Sequence, residues 1–169
     1  MLIILSGPPG AGKSTVAKLL ANKFPKSVHF SMDTVRQFIV GGNRAPWDTS
    51  KEAKKQHKLS DEIAEQIISK YLQNKYVVIL DGIYNDKDFL KYKKKFENVR
   101  GFILLPDISI NLQRDKLRPK EQQVPQRVKV LHKYFSGTSF KNYTLIDSTN
   151  YSPQKTTALI YGYESRHRD

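Results

Sequence analysis

The residues Gly7-Pro8-Pro9-Gly10-Ala11-Gly12-Lys13-Ser14 carry the spacing G-x-x-x-x-G-K-S, the Walker A pattern. Glycines at those places let the backbone wrap until its N–H groups and the next helix N-terminus point at phosphate oxygens. The chemistry this predicts is the holding of a nucleoside triphosphate. Lys13 would reach the β- and γ-phosphates of ATP, the Ser14 hydroxyl would ligate Mg²⁺, and Thr15 follows in the same cradle. An ordinary Gly/Pro turn is the competing reading, and it gives no reason for the Lys-Ser pair.

Asp81 closes the apolar run Tyr76 to Leu80, at the carboxyl edge of a buried strand, where ligands gather in open α/β sheets. It is expected on the substrate side and as a support for Mg²⁺, with a strand-end turn residue as the alternative. Gly82 stands where motor ATPases carry a catalytic Glu, and Asn74-Lys75-Tyr76-Val77 lacks the Asp of a guanine-reading motif. A motor and a GTPase switch are therefore disfavoured. Asp33 and Arg36 lie three residues apart, on one face if a helix begins there, and could share a ligand. An N-cap Asp in a local ion pair is the alternative. His29, His57, His132 and His167 lack metal-ligand spacing and are read as structural or surface residues. Trp47, the only Trp, either walls an acceptor pocket or anchors a polar loop. With 0 Cys, a disulfide framework, a thiolate zinc site and a cysteine nucleophile are excluded.

These side chains need a scaffold, and short apolar runs alternating with helical periods predict a parallel sheet flanked by helices. The strands are expected at Leu2 to Leu5, Ser27 to Ser31, Tyr76 to Leu80, Gly101 to Leu105 and Tyr143 to Ile146. Helices are expected after Thr49-Ser50, near Asn85-Asp86, near Pro106-Asp107 and at Ser152-Pro153. The first of them presents Leu59, Ile63, Ile67 and Tyr71, with Ala64, Ile68 and Leu72 beside them, as its core face. At 169 residues the chain reads as one domain, 1–169, in which the polar stretch Arg114 to Gln126 forms a short lid. The apolar start runs straight into Ser6-Gly7, so neither a signal peptide nor a membrane helix is expected there, and a cytoplasmic address follows. The net charge of +13 suggests an anionic partner, phosphate or nucleic acid. The clusters Lys51, Lys54, Lys55, Lys58 and Lys91, Lys93, Lys94, Lys95 read as solvated helix faces rather than as a nucleic-acid track.

Four blocks resemble the small P-loop kinases related to chloramphenicol phosphotransferase, gluconate kinase and the polynucleotide kinase domain. They are the Walker A loop, Ser31-Met32-Asp33-Thr34-Val35-Arg36, Asp81-Gly82, and Arg114-Asp115-Lys116-Leu117-Arg118-Pro119. The loop Gly41-Gly42-Asn43-Arg44-Ala45-Pro46-Trp47 looks like a substrate-side loop of that group. The resemblance implies a three-layer α/β P-loop fold with five parallel strands in the order 2-3-1-4-5. It also implies Asp33 as the base that accepts the acceptor's proton, and Arg36, Arg44 and Trp47 beside the acceptor. Arg114 and Arg118 would be lid arginines over the phosphates, and Asn150 would lie in the loop near adenine. The expected activity is an ATP- and Mg²⁺-dependent kinase acting on a small-molecule hydroxyl. A polynucleotide 5′-hydroxyl kinase is the first alternative, with nucleic acid as a less favoured partner. A non-catalytic ATP-binding regulatory module is the second.

Overall fold

Leu2, Ile3, Ile4 and Leu5 have no exposed surface at all, as a central parallel strand covered on both faces requires. The computed structural model describes residues 1–165, and His167 lies outside them. In chain order the elements are β1 (Leu2–Ser6), α1 (Lys13–Ala21), β2 (Ser27–Ser31), α2 (Met32–Gln37), α3 (Lys51–Gln73) and β3 (Val77–Asp81). Then come α4 (Asp86–Lys95), β4 (Val99–Leu104), α5 (Ile108–Lys116), a 3₁₀ turn (Lys120–Gln122), α6 (Pro125–Gly137), β5 (Thr144–Ile146) and α7 (Pro153–Ser165). The sheet is parallel throughout, in the order β2-β3-β1-β4-β5, so the expected topology holds.

Register aligns the strand ends that matter. Leu5 of β1 and Ser31 of β2 both lie opposite Asp81 of β3. The glycine loop, α2 and the turn after β3 thus leave the sheet from one edge. Period-2 alternation then sorts the side chains between two layers. Ile3, Leu5, Ile79, Phe102 and Leu104 pack with Val16, Ala17 and Leu20 of α1 and Ile160 of α7. On the other face Leu2, Ile4, Val78 and Leu80 meet Met32 and Val35 of α2, Ala64 and Ile68 of α3, and Phe89 and Tyr92 of α4. Ile103 meets Leu131 and Phe135 of α6.

The helix starts follow their caps. Ser50 Oγ accepts the Ala53 N–H at 3.2 Å, Asn85 forms a capping box with Asp88, and Asp107 accepts the Ser109 N–H at 2.8 Å. The core face of α3 agrees with expectation at Ala64 and Ile68, with Ile63 and Leu72 packed beside them, and differs elsewhere. Ala53, Ser60, Ala64 and Ile68 are its buried positions, while Leu59 is 50% and Tyr71 38% exposed. Small side chains at this spacing let α3 lie close to α2 and the sheet, and the larger apolar ones fall to the flank. Within the expected lid segment, Arg114 lies in α5, which ends at Lys116, Lys120–Gln122 form the 3₁₀ turn and α6 begins at Pro125, so only short stretches between them are irregular. Both lysine clusters are exposed on α3 and α4, as expected. Among the described residues no helix is long and apolar enough to cross a membrane.

Candidate active site

The loop between β1 and α1 folds as it does because two of its glycines admit what no other residue would. Gly7 has φ 136°, and a Cβ there would fall on the backbone carbonyl of Leu104. Gly10 has φ 79°, and a Cβ would sit 2.5 Å from the carbonyl oxygen of Asn111. Both positions combine a backbone geometry that L-residues avoid with contact against a neighbouring backbone. Pro8 and Gly10 are buried and Pro9, Gly12 and Lys13 half-buried, while Ser14 and Thr15 at the start of α1 are exposed.

Lys13 closes the cradle from inside. Its Nζ donates to the carbonyls of Gly7 and Pro8, each at 2.9 Å. Burial lowers its pKa to about 8, an effect that the nearby carboxylates of Asp81 and then Asp33 oppose and the Arg118 charge reinforces. Asp33, Asp81 and Arg118, from α2, β3 and the segment after α5, are thus all within electrostatic reach of one amine.

Asp81 is 2% exposed at the end of β3. Its Oδ2 accepts the Ser14 hydroxyl at 2.5 Å, and its Oδ1 faces His29 Nε2 at 3.0 Å. Burial pushes this carboxyl up, but the hydrogen bonds from His29, Ser14 and Ser31 outweigh that and hold it below the usual carboxylate value. An ionised carboxylate beside a serine hydroxyl at the phosphate end of the loop is a donor set of two hard oxygens. That fits Mg²⁺, which takes one or two protein ligands and completes its shell with phosphates and water. Among the described residues no group of three or more His, Cys, Asp or Glu could hold a metal by itself.

On the acceptor side, Asp33 is exposed and its Oδ1 lies 3.5 Å from Arg36 Nη1. Of the alternative foreseen, the i,i+3 pair is formed, but the N-cap of α2 is Ser31 and Asp33 lies in the first turn. Arg36 is turned inward: its Nε is buried without a hydrogen-bond partner, and its charge reaches Asp61 of α3, whose pKa burial nonetheless raises. Arg44 pairs with Asp48 at 3.9 Å, and its backbone N–H donates to Gln56 at 3.0 Å. Trp47 is 54% exposed and walls a cavity of about 460 Å³ with Gln123, Val124, Pro125, Gln126, Arg127 and Val130. Asp33 and Arg36 do not line that cavity, so the substrate-side loop turns toward the start of α6 rather than forming one pocket with them.

The second arginine pair divides. Arg114 Nη1 donates to the carbonyl of Gly10 at 3.2 Å, directly on the loop. Arg118 lies 3.8 Å from buried Asp115, which also accepts the Val124 N–H at 2.9 Å and so ties both ends of the irregular segment together. Asn150 is exposed in the turn after β5, held near α5 by Thr149, whose hydroxyl oxygen accepts the Asp107 N–H at 2.8 Å.

Two residues were not foreseen at the site. Asn111 is fully buried and donates from Nδ2 to the carbonyl of Pro9 at 3.1 Å, bracing the loop from α5. His29, expected in a structural or surface role, is the partner of Asp81. Its signal was register: His29 and Ser31 lie on one face of β2, beside the end of β3. His57 is half-buried on α3, and His132 Nε2 lies 3.0 Å from the carbonyl of Pro106, both consistent with structural roles.

Comparison with known proteins gives the chain a family. The Zeta toxin family matches residues 1–103, more than half of the chain, and the chain belongs to that family. A stretch of 33 residues is 64% identical to the guanylate kinase of Helicobacter pylori (strain ATCC 700392 / 26695), covering 20% of this chain and only 16% of that relative's length. The guanylate kinase of Caldanaerobacter subterraneus subsp. tengcongensis is 29% identical over 185 residues, 98% of this chain and 89% of the relative. The solved structure of shikimate kinase from Acinetobacter baumannii in complex with shikimate superposes with a TM-score of 0.63 at 20% identity, over 99% of this chain and 94% of that one. The three-layer arrangement with strand order 2-3-1-4-5 is the P-loop kinase fold.

Proposed function

We propose that this member of the Zeta toxin family is an ATP- and Mg²⁺-dependent phosphotransferase acting on a hydroxyl of a small molecule. The observation that carries the reading is the loop itself, with Lys13 Nζ on the carbonyls of Gly7 and Pro8, Ser14 hydrogen-bonded to Asp81 at 2.5 Å and Arg114 seated on the Gly10 carbonyl. In this reading the Gly7 to Thr15 segment holds the triphosphate through its N–H groups and the Lys13 ammonium. Ser14 and Asp81 hold Mg²⁺, which when bound neutralises charge on the phosphates. Arg114 and Arg118 stabilise the charge that spreads over the transferring phosphoryl oxygens, and the segment from 114 to 126 acts as a lid in a domain spanning 1–169. Asn150 borders the adenine.

Asp33 favours a hydroxyl acceptor over a phosphate acceptor. A hydroxyl must lose its proton as it attacks, and an exposed carboxylate near the phosphate end can take it, whereas a phosphate oxygen at neutral pH needs no base. Arg36 orients the acceptor, and Arg44 and Trp47, on the loop that faces the start of α6, would meet only an acceptor that extends to that separate cavity. The shikimate kinase likeness supports a small acceptor, and the guanylate kinase relatives support a nucleotide donor. The reaction belongs to the cytoplasm, where ATP is at hand, and calls for no membrane partner.

The experiment is transfer from γ-labelled ATP across a panel of sugars, antibiotics, nucleosides, nucleoside monophosphates and 5′-hydroxyl oligonucleotides. Label on one small alcohol, with weak salt dependence at saturating ATP, supports the proposal. Efficient transfer to oligonucleotides that rises with their length and falls steeply with salt indicates the polynucleotide alternative, for which +13 is the argument. ATP binding with no transfer to any acceptor indicates the regulatory module.

A further inference from the structure

His29 has no part in the mechanism just proposed, yet it holds one of the two oxygens of the carboxylate on which the metal depends. β2 and β3 are parallel, with Ser31 opposite Asp81 and His29 opposite Ile79. All four side chains leave the sheet on the face that packs α1, as the contact of Ile79 with Val16 and Leu20 shows. The His29 ring therefore lies along that face, and its Nε2 reaches Asp81 Oδ1 at 3.0 Å. An ionised carboxylate only accepts, so Nε2 carries the proton and donates it. Ser14 engages the other oxygen, Oδ2, at 2.5 Å. The last torsion of an Asp side chain is soft, and partners on both oxygens fix it.

We infer that His29 is a positioning residue for the metal site: it pins Oδ1 of Asp81 so that Oδ2 stays turned toward Ser14. This rests on the reading that Ser14 and Asp81 hold Mg²⁺. Without His29 the carboxylate keeps its Ser14 and Ser31 contacts on a freer torsion. Carboxylate ligands whose outer partners are lost bind their metal about 10–100-fold more weakly.

The test compares His29→Leu, which removes the donor, with His29→Gln, whose amide can donate from a similar distance. Equilibrium dialysis of labelled ATP is run over a Mg²⁺ series and in EDTA, with thermal unfolding as the check on folding. His29→Leu is expected to raise the Mg²⁺ concentration for half-maximal ATP binding by about 10–100-fold while binding in EDTA stays within about two-fold, and His29→Gln to recover most of the loss. The inference is overturned if folded His29→Leu keeps the wild-type Mg²⁺ requirement. It is equally overturned if binding weakens alike with and without Mg²⁺, or if His29→Gln behaves as His29→Leu does. Should His29→Leu not fold, His29→Asn, whose amide falls short of Asp81, takes its place with the same expected and overturning results. If wild-type ATP binding does not respond to Mg²⁺ at all, the metal role of Ser14 and Asp81 fails first, and that outcome is distinct from a failure of His29.

Discussion

ATP affinity is expected to fall as pH rises above about 8, because Lys13, the amine proposed to meet the phosphates, is withdrawn from water. Burial lowers the Lys13 pKa to about 8 in the free protein, with Asp81 and Asp33 opposing it only in part. A bound triphosphate adds several negative charges beside the amine and keeps it protonated well above that value. Below pH 8 the free protein already carries the charge, so affinity is nearly flat. Above it, binding must take up a proton, and each further rise in pH weakens binding. The protonated fraction of Lys13 drops from about 0.9 at pH 7 to about 0.1 at pH 9, so affinity falls about ten-fold, or ~1.4 kcal/mol. Calorimetric titration with ATP and Mg²⁺ in two buffers of different ionisation enthalpy reads both quantities. Proton uptake rises from about 0.1 per ATP at pH 7 to about 0.9 at pH 9. Lys13→Arg, charged throughout, abolishes the uptake. An affinity that is flat from pH 7 to 9, with binding heats independent of buffer at pH 9, would refute the placement of Lys13 against the phosphates.

Gly10→Ala is expected to destabilise the fold by roughly 2–4 kcal/mol in urea unfolding, from an unfavourable φ and the approach to the Asn111 carbonyl; a loss under about 0.5 kcal/mol contradicts this. Asp33→Asn keeps shape but deletes the base, so turnover on the acceptor found by the panel drops roughly 10²–10⁴-fold with ATP affinity nearly kept. Wild-type turnover in that variant would reduce Asp33 to the partner of Arg36. Arg114→Ala and Arg118→Ala are each expected to lower turnover more than ATP binding, since they meet charge that develops late; single-turnover rates equal to wild type would leave both arginines without a part in the transfer step. Trp47, the sole Trp, is expected to change its emission when the acceptor binds, and an unchanged spectrum at saturating acceptor would remove Trp47 from the acceptor side.

The phosphate loop was legible because its chemistry is local: glycines, lysine and serine are consecutive, and the flanking apolar runs declare a strand and a helix. The strands were legible for the same reason, with ends displaced by one or two residues. The α3 core face was legible at Ala64 and Ile68 and misjudged elsewhere, because Ala53 and Ser60 are too small or polar to stand out against Leu59 and Tyr71. His29 and Asn111 were missed because their bonds span 52 and 102 residues of sequence. Such contacts exist only once β2 lies beside β3 and α5 beside the loop. The cavity beside Trp47 is likewise a product of folding, joining a loop before α3 to the first turn of α6. Asp33 and Arg36 were recognisable as a pair from spacing alone, but the burial of Arg36 Nε needed α3 packed beside α2.

Transfer to a hydroxyl leaves the phosphoryl group in a phosphomonoester, and transfer to a phosphate leaves it in a phosphoanhydride. Phosphorus NMR of the product formed from ATP, Mg²⁺ and the acceptor that the panel identifies separates the two. A phosphomonoester resonance is expected to appear in step with the loss of the ATP γ-phosphate signal, and to grow roughly 10²–10⁴-fold more slowly when Asp33→Asn replaces the wild type. A product resonance in the phosphoanhydride region, made at the same rate by wild type and Asp33→Asn, would contradict transfer to a hydroxyl.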